Sequence, residues 1–491
     1  MDTVKSDKIK NALRTIVERF GEESIVNPVK ARALMMDLLP EPDYESERRI
    51  IVSALEENIG KIILESCSNN NSDTKITFTK CMNILVKKLW LAEKAAVFAV
   101  DTIFYALGVE SPEIISVTDT KENTETVAIL NKGDLDNESI KNGKIYDNLK
   151  KYKILGFKSF ACCDDLNEIT IPENITAIEA KSFYNCKNLK KVVLHSEIKK
   201  IGQRVFQGCD ALETIDCNNK NTNYSSAQGL LTDKKQKALL RSINDKNSNC
   251  EIPNYVEYID AYAFEKSNYQ KITLPKNLKT IHPKAFMYCD NLQHFTIDMS
   301  NSSFITKDGV LHSKDRKTLV RFPSGYNDTN YYLEDSVSVI GNRAFSYAAK
   351  LSSITLTGSL RTIEERAFEH CEKLQMVMIP SAVREIGERA FQYCTSLYTV
   401  IIPRIITEIS DFTFYNCTSL SHISIPINAI RIGHCAFYGC KSLKEVIVQK
   451  NIKFIGTDAF ADCSPDFTVK IKDNDYVRQF CEIRGIPYES I

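Results

Sequence analysis

The sequence predicts an α+β protein in which a small helical domain precedes a long solenoid of stacked coils. Two observations predict this fold. Phenylalanine recurs mostly every 22 or 23 residues between positions 160 and 460, whereas apolar residues in the first 108 positions recur at helical spacing. A fixed period of this length is typical of repeat architectures, in which each unit buries its apolar side only against its neighbours.

Residues 1–112 are predicted to form an all-α domain of about five helices. The first apolar stripe ends before Gly21, and Asn27–Pro28 provides a cap and a first-turn proline for a helix reaching Leu39. Further stripes cover Ile50–Leu64, residues 78–89 and residues 92–107. Residues 113–150 are polar and are predicted to be a linker into the solenoid. Within this linker, residues 127–130 are able to pair as an edge strand over the first coil.

The repeat unit reads I-G-x-x-A-F-x-x-C-x-x-L-x-x-I-x-I-P. Its L-x-x-I-x-I part alternates with period two, which predicts a strand with one face inward, and its I-x-x-x-A-F part predicts a short helical or 3₁₀ turn. Eleven phenylalanines mark the copies, namely Phe160, Phe183, Phe206, Phe264, Phe286, Phe345, Phe368, Phe391, Phe414, Phe437 and Phe460. The predicted solenoid covers residues 151–472, and residues 473–491 are predicted to cap it.

Two steps between phenylalanines are long, at 58 and 59 residues. The segments Tyr224–Arg241 and Phe304–Arg321 within them align without a gap, and each places two apolar stretches around a charged turn. This pattern predicts two repeated β-hairpin insertions, near residues 218–250 and 298–332.

Nine of the sixteen cysteines lie three residues after a repeat phenylalanine, where Ser267 and Ala348 stand in the other two copies. Because serine and alanine replace cysteine there, the position favours a small buried residue over a disulfide. The predicted structural ladder therefore comprises Phe183, Phe206, Phe368, Phe391, Phe414, Phe437, Cys186, Cys371, Cys394, Cys417 and Cys440. Adjacent pairs such as Cys162–Cys163 and His434–Cys435 lack the paired ligand spacing of zinc sites, so no metal is predicted.

This cycle, with its hairpin variants, resembles the BspA-type leucine-rich repeats, also called the Treponema pallidum type. The resemblance covers about residues 152–471, and the ending Asp473–Tyr488 is similar to the helix-plus-Ile-Pro-aromatic ending of such arrays. Members are mostly bacterial or protozoan surface and secreted proteins that bind host or microbial ligands. The resemblance thus implies a leucine-rich-repeat solenoid that binds another molecule, with an adhesin as one form of that role.

Composition disfavours several function classes. Lysine plus arginine and aspartate plus glutamate both number 63, so no basic excess points to nucleic acid. No apolar run is long enough to insert into a membrane, and residues 1–19 lack the apolar stretch of a signal peptide, which favours a cytoplasmic protein over an exported one. No catalytic motif and no cofactor-binding motif occurs. An enzyme in the helical domain is a further reading, but residues 1–108 contain no histidine.

The strand positions eight and ten residues after each phenylalanine are predicted to point outward. Most are small or polar, but apolar residues cluster on adjacent coils, and exposed apolar patches are often interaction sites. The candidate partner-binding residues are Met376, Met378, Tyr398, Ile401 and His422; the charged hairpin tips near 234–235 and 314–316 are second candidates. The leading hypothesis is a non-catalytic scaffold that binds a protein or glycan partner, and the alternative is a surface or secreted adhesin.

Overall fold

The computed structural model describes residues 3–26, 31, 34–35, 38–39, 45–68, 74–88, 93–109, 128–132, 140–141, 144–145, 149, 151–243 and 248–491. The chain divides into two compact units, Met1–Glu125 and Thr126–Ile491. The first is helical and the second is a β-solenoid, so the predicted α+β fold is confirmed. Among the helices described, none is long and apolar enough to span a bilayer.

The helical unit differs from its prediction at one stripe. Residues 50–64 belong to two helices, because Asn58 adopts a left-handed φ of 61° and breaks the stripe. Ile16, Ile51 and Ile103 are fully buried in its core. The predicted helix start at Asn27–Pro28 lies outside the described residues. The described helices are Thr3–Phe20, Glu23–Val26, Glu45–Glu56, Ile59–Ser68, Thr74–Lys88 and Glu93–Ala106.

In the second unit, each coil contributes one strand to the wall that we call the strand face. These strands pair in parallel with their counterparts one coil away and alternate exposed and buried residues, as the period-two pattern predicts. They are Glu168–Thr170, Lys191–Leu194, Thr214–Cys217, Asn249–Glu251, Lys271–Leu274, His294–Ile297, Asn330–Tyr332, Ser353–Thr355, Met376–Met378, Thr399–Ile401, His422–Ile423, Glu445–Val448 and Thr468–Ile471.

A second, shorter strand in each coil ends at the aliphatic residue five positions before the phenylalanine. These strands also pair in parallel from coil to coil. They are Ile154–Leu155, Ala177–Ile178, Lys200–Ile201, Tyr258–Ile259, Thr280–Ile281, Val339–Ile340, Thr362–Ile363, Glu385–Ile386, Glu408–Ile409, Arg431–Ile432 and Phe454–Ile455. Ile129–Leu130 extends this ladder by pairing with Ile154–Leu155, as the linker pattern allowed. A separate antiparallel pair joins Ile140–Lys141 to Lys144–Ile145.

The segment around each repeat phenylalanine, here called the outer turn, is not the helical or 3₁₀ turn that the sequence suggested. In the coil of Phe368, Arg366 and His370 have left-handed φ values of 56° and 58°. The N–H of Phe368 donates to the carbonyl of Ala390 in the next coil at 2.8 Å, whereas the N–H of Cys371 donates back to Phe368 at 3.1 Å. This alternation satisfies the backbone both within a coil and between coils, which a continuous helix would not do.

The repeat phenylalanines form a buried column of stacked rings. Ring centroids from Phe345 to Phe368 and from Phe368 to Phe391 lie 4.9 and 5.2 Å apart, with interplanar angles of 10° and 2°. The same stacking continues through Phe414 and Phe437, and Phe160, Phe183 and Phe206 form an equivalent column nearer the start. All of these rings are buried.

The cysteines three residues later form a parallel column of free thiols. The Sγ–H of Cys371 donates to the carbonyl of Phe345 at 3.1 Å, and Cys186, Cys394, Cys417 and Cys440 make the same bond to the phenylalanine one coil earlier, at 2.9 to 3.2 Å. Every cysteine whose side chain the structure describes is unbridged. Burial raises the pKa of the Cys417 and Cys440 thiols, which keeps them protonated as donors.

The two long steps each contain a further coil that the phenylalanine count missed. Ser242 lies 22 residues before Phe264, and Phe322 lies 23 residues before Phe345. Each donates its N–H to the alanine carbonyl just before the next phenylalanine, at 2.6 and 2.7 Å, as a ladder residue does. The ring of Phe322 packs 4.9 Å from that of Phe345. Most of the additional length is therefore a coil, and only the remainder is insertion.

The inserted part is a three-stranded antiparallel meander in place of the predicted two-stranded hairpin. Its last strand runs on in parallel with the short strands of the solenoid, pairing Ala238 with Tyr258 and Thr318 with Val339. The meanders are thus joined to the solenoid by strand pairing. Their strands are Tyr224–Ser225, Leu230–Asp233 and Ala238–Ser242, followed in the second copy by Phe304–Lys307, Val310–Ser313 and Thr318–Arg321.

The coil of Phe322 has no left-handed outer turn, and a buried arginine lies between the outer turns of the two neighbouring coils instead. The outer turns on either side meet above it, with the rings of Tyr288 and Tyr347 centred 4.6 Å apart. Arg321, 3% exposed, lies beneath and donates to the carbonyl of Phe286 at 2.9 Å and to carbonyls of the following coil. The coils of Ser242 and Phe322 are here called the shortened coils. Ser267 and Ala348, which stand in place of cysteine, lie in the two coils that directly follow them.

The C-terminal end of the solenoid is covered by a helix and one more strand. The helix Asp475–Arg484 is capped by the Asn474 side chain, which accepts from the N–H of Val477, and ends at left-handed Gly485. The strand Tyr488–Ser490 then pairs in parallel with Thr468–Ile471. The last strand-face edge of the repeats is therefore paired instead of exposed.

Candidate binding surface

The candidate residues predicted from sequence lie together on three consecutive strands of the strand face. Met376 pairs in register with Thr399, Met378 with Ile401, and Thr399 in turn with His422. The inward residues Val377 and Val400 of these strands are buried in the core, and Ile423 is partly buried against it. Because neighbouring strands lie about 4.8 Å apart, the outward side chains form one contiguous surface on a rigid base.

The exposed fractions show how much apolar surface this region offers. Met378 is 59% exposed, Ile401 52%, and Met376 40%. Tyr398, the residue before the strand Thr399–Ile401, is 45% exposed. His422 is also exposed, and one of its ring nitrogens, Nδ1, lies 2.8 Å from the Ser421 hydroxyl. An exposed cluster of this kind is unusual for a solvated sheet.

This region coincides with a stretch of strand face that carries no Asp, Glu, Lys or Arg. The five strands from Asn330–Tyr332 to His422–Ile423 form one sheet and contain only neutral side chains, apart from the titratable imidazole of His422. Charged pairs lie towards both ends of the strand face: Lys191 pairs with Asp216 at 3.3 Å near its start, and Lys470 with Glu445 at 2.7 Å near its end. The strand face thus has an uncharged section between charged ends.

Tyr332 belongs to this surface and was missed by the sequence analysis. It is 75% exposed and pairs in register with Thr355, in the same outward row as Met378 and Ile401. The reason for the omission is that its coil is one of the two hidden in the long steps. The spacing of 23 residues between Phe322 and Phe345 was the signal that would have revealed it.

The charged turns of the meanders are exposed, and two of their lysines also hydrogen-bond to the backbone. Lys234 donates its ammonium to the carbonyl of Asn221 at 2.7 Å, and Lys314 donates to that of Met299 at the same distance. Lys235 and Arg316 are exposed. In the described parts of the chain, no group of three His, Cys, Asp or Glu side chains is placed to hold a metal ion.

The comparison with family models decides what kind of repeat this is. A model described as the BspA-type leucine-rich repeat region matches six copies, over residues 131–228, 242–333 and 338–466. The chain belongs to the BspA-type leucine-rich repeat family. The second matched segment, residues 242–333, begins at Ser242 and runs across Phe322, so the family repeat includes the two coils that the phenylalanine count missed.

Solved structures of leucine-rich repeat proteins from several bacteria match parts of this BspA-type chain. A leucine-rich repeat protein from Eubacterium ventriosum is 21% identical, with a TM-score of 0.46, over 61% of this chain and 84% of that one. A leucine-rich cell surface protein from Faecalibacterium prausnitzii is 23% identical, with a TM-score of 0.42, over 65% and 82%. The pneumococcal vaccine antigen PcpA is 18% identical, with a TM-score of 0.38, over 71% and 82%. No curated protein sequence matches the chain.

Proposed function

We propose that this protein is a non-catalytic scaffold that binds a protein partner through the uncharged section of its strand face. The observation that carries the proposal is the five-strand sheet without a formal charge, on which Tyr332, Met376, Met378, Tyr398 and Ile401 are exposed. The repeat solenoid is a general protein-interaction fold, which agrees with a binding role.

The chemistry of this section favours an apolar and uncharged segment of the partner. Burying a charged group against Met378 and Ile401 would remove its hydration without providing an ion pair, because the strands under them offer none. Methionine side chains are flexible and adapt to partner surfaces, whereas Tyr332 and Tyr398 provide aromatic area with hydroxyl groups for hydrogen bonds. The charged ends of the strand face would disfavour binding of the same segment elsewhere.

Replacing both Met376 and Met378 with aspartate should weaken partner capture by roughly tenfold or more, since central apolar residues carry most of the energy of an interface. Folding should be preserved because both side chains point outward. The measurement is affinity capture with the purified chain, followed by binding titration of each captured protein against wild type and variant.

Thr170→Asp is the matched control, because Thr170 is exposed and holds the same outward position in the first coil. Its affinity should equal that of the wild type. Equal binding by the Met376→Asp/Met378→Asp variant and the wild type would remove the strand-face section as the binding site.

The proposed location is the cytoplasm. The support is the state of the cysteines: the described thiols are all unbridged, and the exposed Cys162 is free as well. An oxidising compartment favours disulfides, whereas the reducing cytosol keeps thiols free. Fractionation of producing cells should recover the protein with cytosolic markers; recovery from the cell surface or the culture medium would support the adhesin alternative instead.

A further inference from the structure

A second group of side chains lies on the outer turns, on a different wall of the coils from the strand face. Arg204, Tyr262 and Lys284 each stand two residues before the ladder phenylalanine of their coil, and Arg343 stands at the same position after the second meander. The N–H of Tyr262 donates to the carbonyl of Lys284 at 3.0 Å, so these two turns are direct neighbours.

The four side chains influence one another electrostatically across the shortened coils. The guanidinium of Arg204 lies 5.4 Å from the ring centroid of Tyr262. Burial, together with the charges of Arg343, Arg204 and Arg366, lowers the pKa of Lys284 to about 8, and Glu365 opposes this shift. Positive charges from three other outer turns therefore act on one half-buried ammonium.

The acidic groups near this cluster are already used by other partners. Glu369 pairs with both Arg343 and Arg366, and Glu365 pairs with Arg366 at 3.0 Å. Asp260 accepts hydrogen bonds from the N–H of Ala261 at 2.7 Å and the hydroxyl of Tyr258 at 3.1 Å. The guanidinium of Arg204 also lies close enough to the buried Asp260 carboxyl to oppose the rise in its pKa that burial causes. Arg204 and Lys284 make no ion pair within the described part of the chain, and together they carry one positive charge more than Asp260 can balance.

His282 adds a neutral donor to the cluster. Burial and the charges of Arg204, Lys284 and Arg343 lower its pKa to about 4, so the ring is neutral at pH 7. Its Nδ1 accepts the N–H of Lys284 at 3.0 Å, which leaves the proton on Nε2. The cluster thus combines hydrogen-bond donors with one positive charge more than Asp260 balances.

We propose that Arg204, Lys284 and Tyr262 form a binding site for a phosphate-type oxyanion, either free or carried by a ligand. Arginine offers a planar pair of donors and lysine a compact charge, and both are common phosphate-binding groups. The anion would lie at the surface between Arg204 and Lys284. It would not enter the small pocket beside Arg204, because Asp260 lines that pocket. The site is independent of the strand-face function.

The test is calorimetric titration of the full chain with inorganic sulfate, whose charge is constant between pH 7 and pH 9. At pH 7 we expect saturable binding that Arg204→Met and Lys284→Met each weaken about tenfold, the usual effect of losing one charged hydrogen bond. The control is Lys199→Met, an exposed lysine of the same coil as Arg204, which should bind as the wild type does.

The pH dependence gives a second measurement specific to Lys284. Its pKa of about 8 means that the ammonium loses its proton between pH 7 and pH 9, so sulfate affinity should fall by about tenfold over that interval. Lys284→Arg, which stays charged, should bind at both pH values and lose this dependence. A parallel titration with a phosphoserine peptide shows whether an attached group binds better than the free ion.

Absence of saturable sulfate binding by the wild type would overturn the proposal. So would equal affinities for the wild type, Arg204→Met and Lys284→Met at pH 7. If Lys284→Met fails to fold, Arg204→Met and the pH profile of Lys284→Arg decide the question between them.

Discussion

Replacing Phe368 with alanine should lower the free energy of unfolding by about 3–5 kcal/mol, the usual cost of truncating a buried phenylalanine. The ring is fully buried and stacked between those of Phe345 and Phe391, at 4.9 and 5.2 Å. Its removal leaves a cavity that neither neighbour can fill without leaving its own stack. In a solenoid each coil is stabilised by contacts with its two neighbours. Loss of the Phe368 ring therefore also weakens the coupling between the parts of the repeat array on either side of it.

Urea denaturation of the full chain, monitored by far-ultraviolet circular dichroism of the backbone, measures this loss. Phe454→Ala is the matched control: Phe454 also lies in a repeat coil, but it is 38% exposed and contacts Arg431 and His434 at the surface. We expect it to cost less than about 1 kcal/mol. A similar loss for both variants would contradict the assignment of the ladder as the core.

Replacing Arg321 with alanine should be nearly as damaging, at about 3–5 kcal/mol, because several buried acceptors would lose their donor at once. The guanidinium donates to the carbonyls of Phe286, Arg343 and Ser346, which belong to the coils on either side of the shortened one. Solvent water has little access to these carbonyls and does not replace the lost donor, since Arg321 is 3% exposed.

The control is Arg316→Ala, five residues earlier on the exposed turn of the same meander, where we expect a change within about 0.5 kcal/mol. Both variants can be compared by thermal unfolding at one protein concentration. Arg321→Lys separates charge from geometry, because a single ammonium cannot reach carbonyls in both neighbouring coils at once. Full stability of Arg321→Lys would show that the charge alone matters.

The sequence predicted the regular part of this fold well because one residue type marks each coil. Phenylalanine at a constant spacing identified the ladder, and the alternation after it identified the outward positions of Met376, Met378 and Ile401. The count failed where the ladder residue was Ser242 or where a meander lengthened the step before Phe322. For that reason Tyr332 was not among the partner-binding residues predicted from the sequence.

Two other features had no local signal in the sequence. The left-handed backbone of the outer turns occurs at residues such as Arg366 and His370, which are not the glycine or asparagine that usually mark such positions. It is imposed by hydrogen bonds to the neighbouring coil. The contact of Arg204 with the ring of Tyr262 likewise depends on the shortened coil between them, which brings together residues that are 58 positions apart.

The left-handed outer turns also restrict which amino acids the wall can display. At a positive φ a side chain branched at Cβ meets its own backbone, so valine, isoleucine and threonine are disfavoured there. The positions two before and two after the eleven repeat phenylalanines, from Phe160 to Phe460, carry none of these three branched types. They carry lysine, arginine, tyrosine, histidine, asparagine, aspartate, cysteine, phenylalanine and glycine. The outer turns are therefore suited to display long, charged and aromatic side chains, whereas the strand face remains free to carry the branched ones.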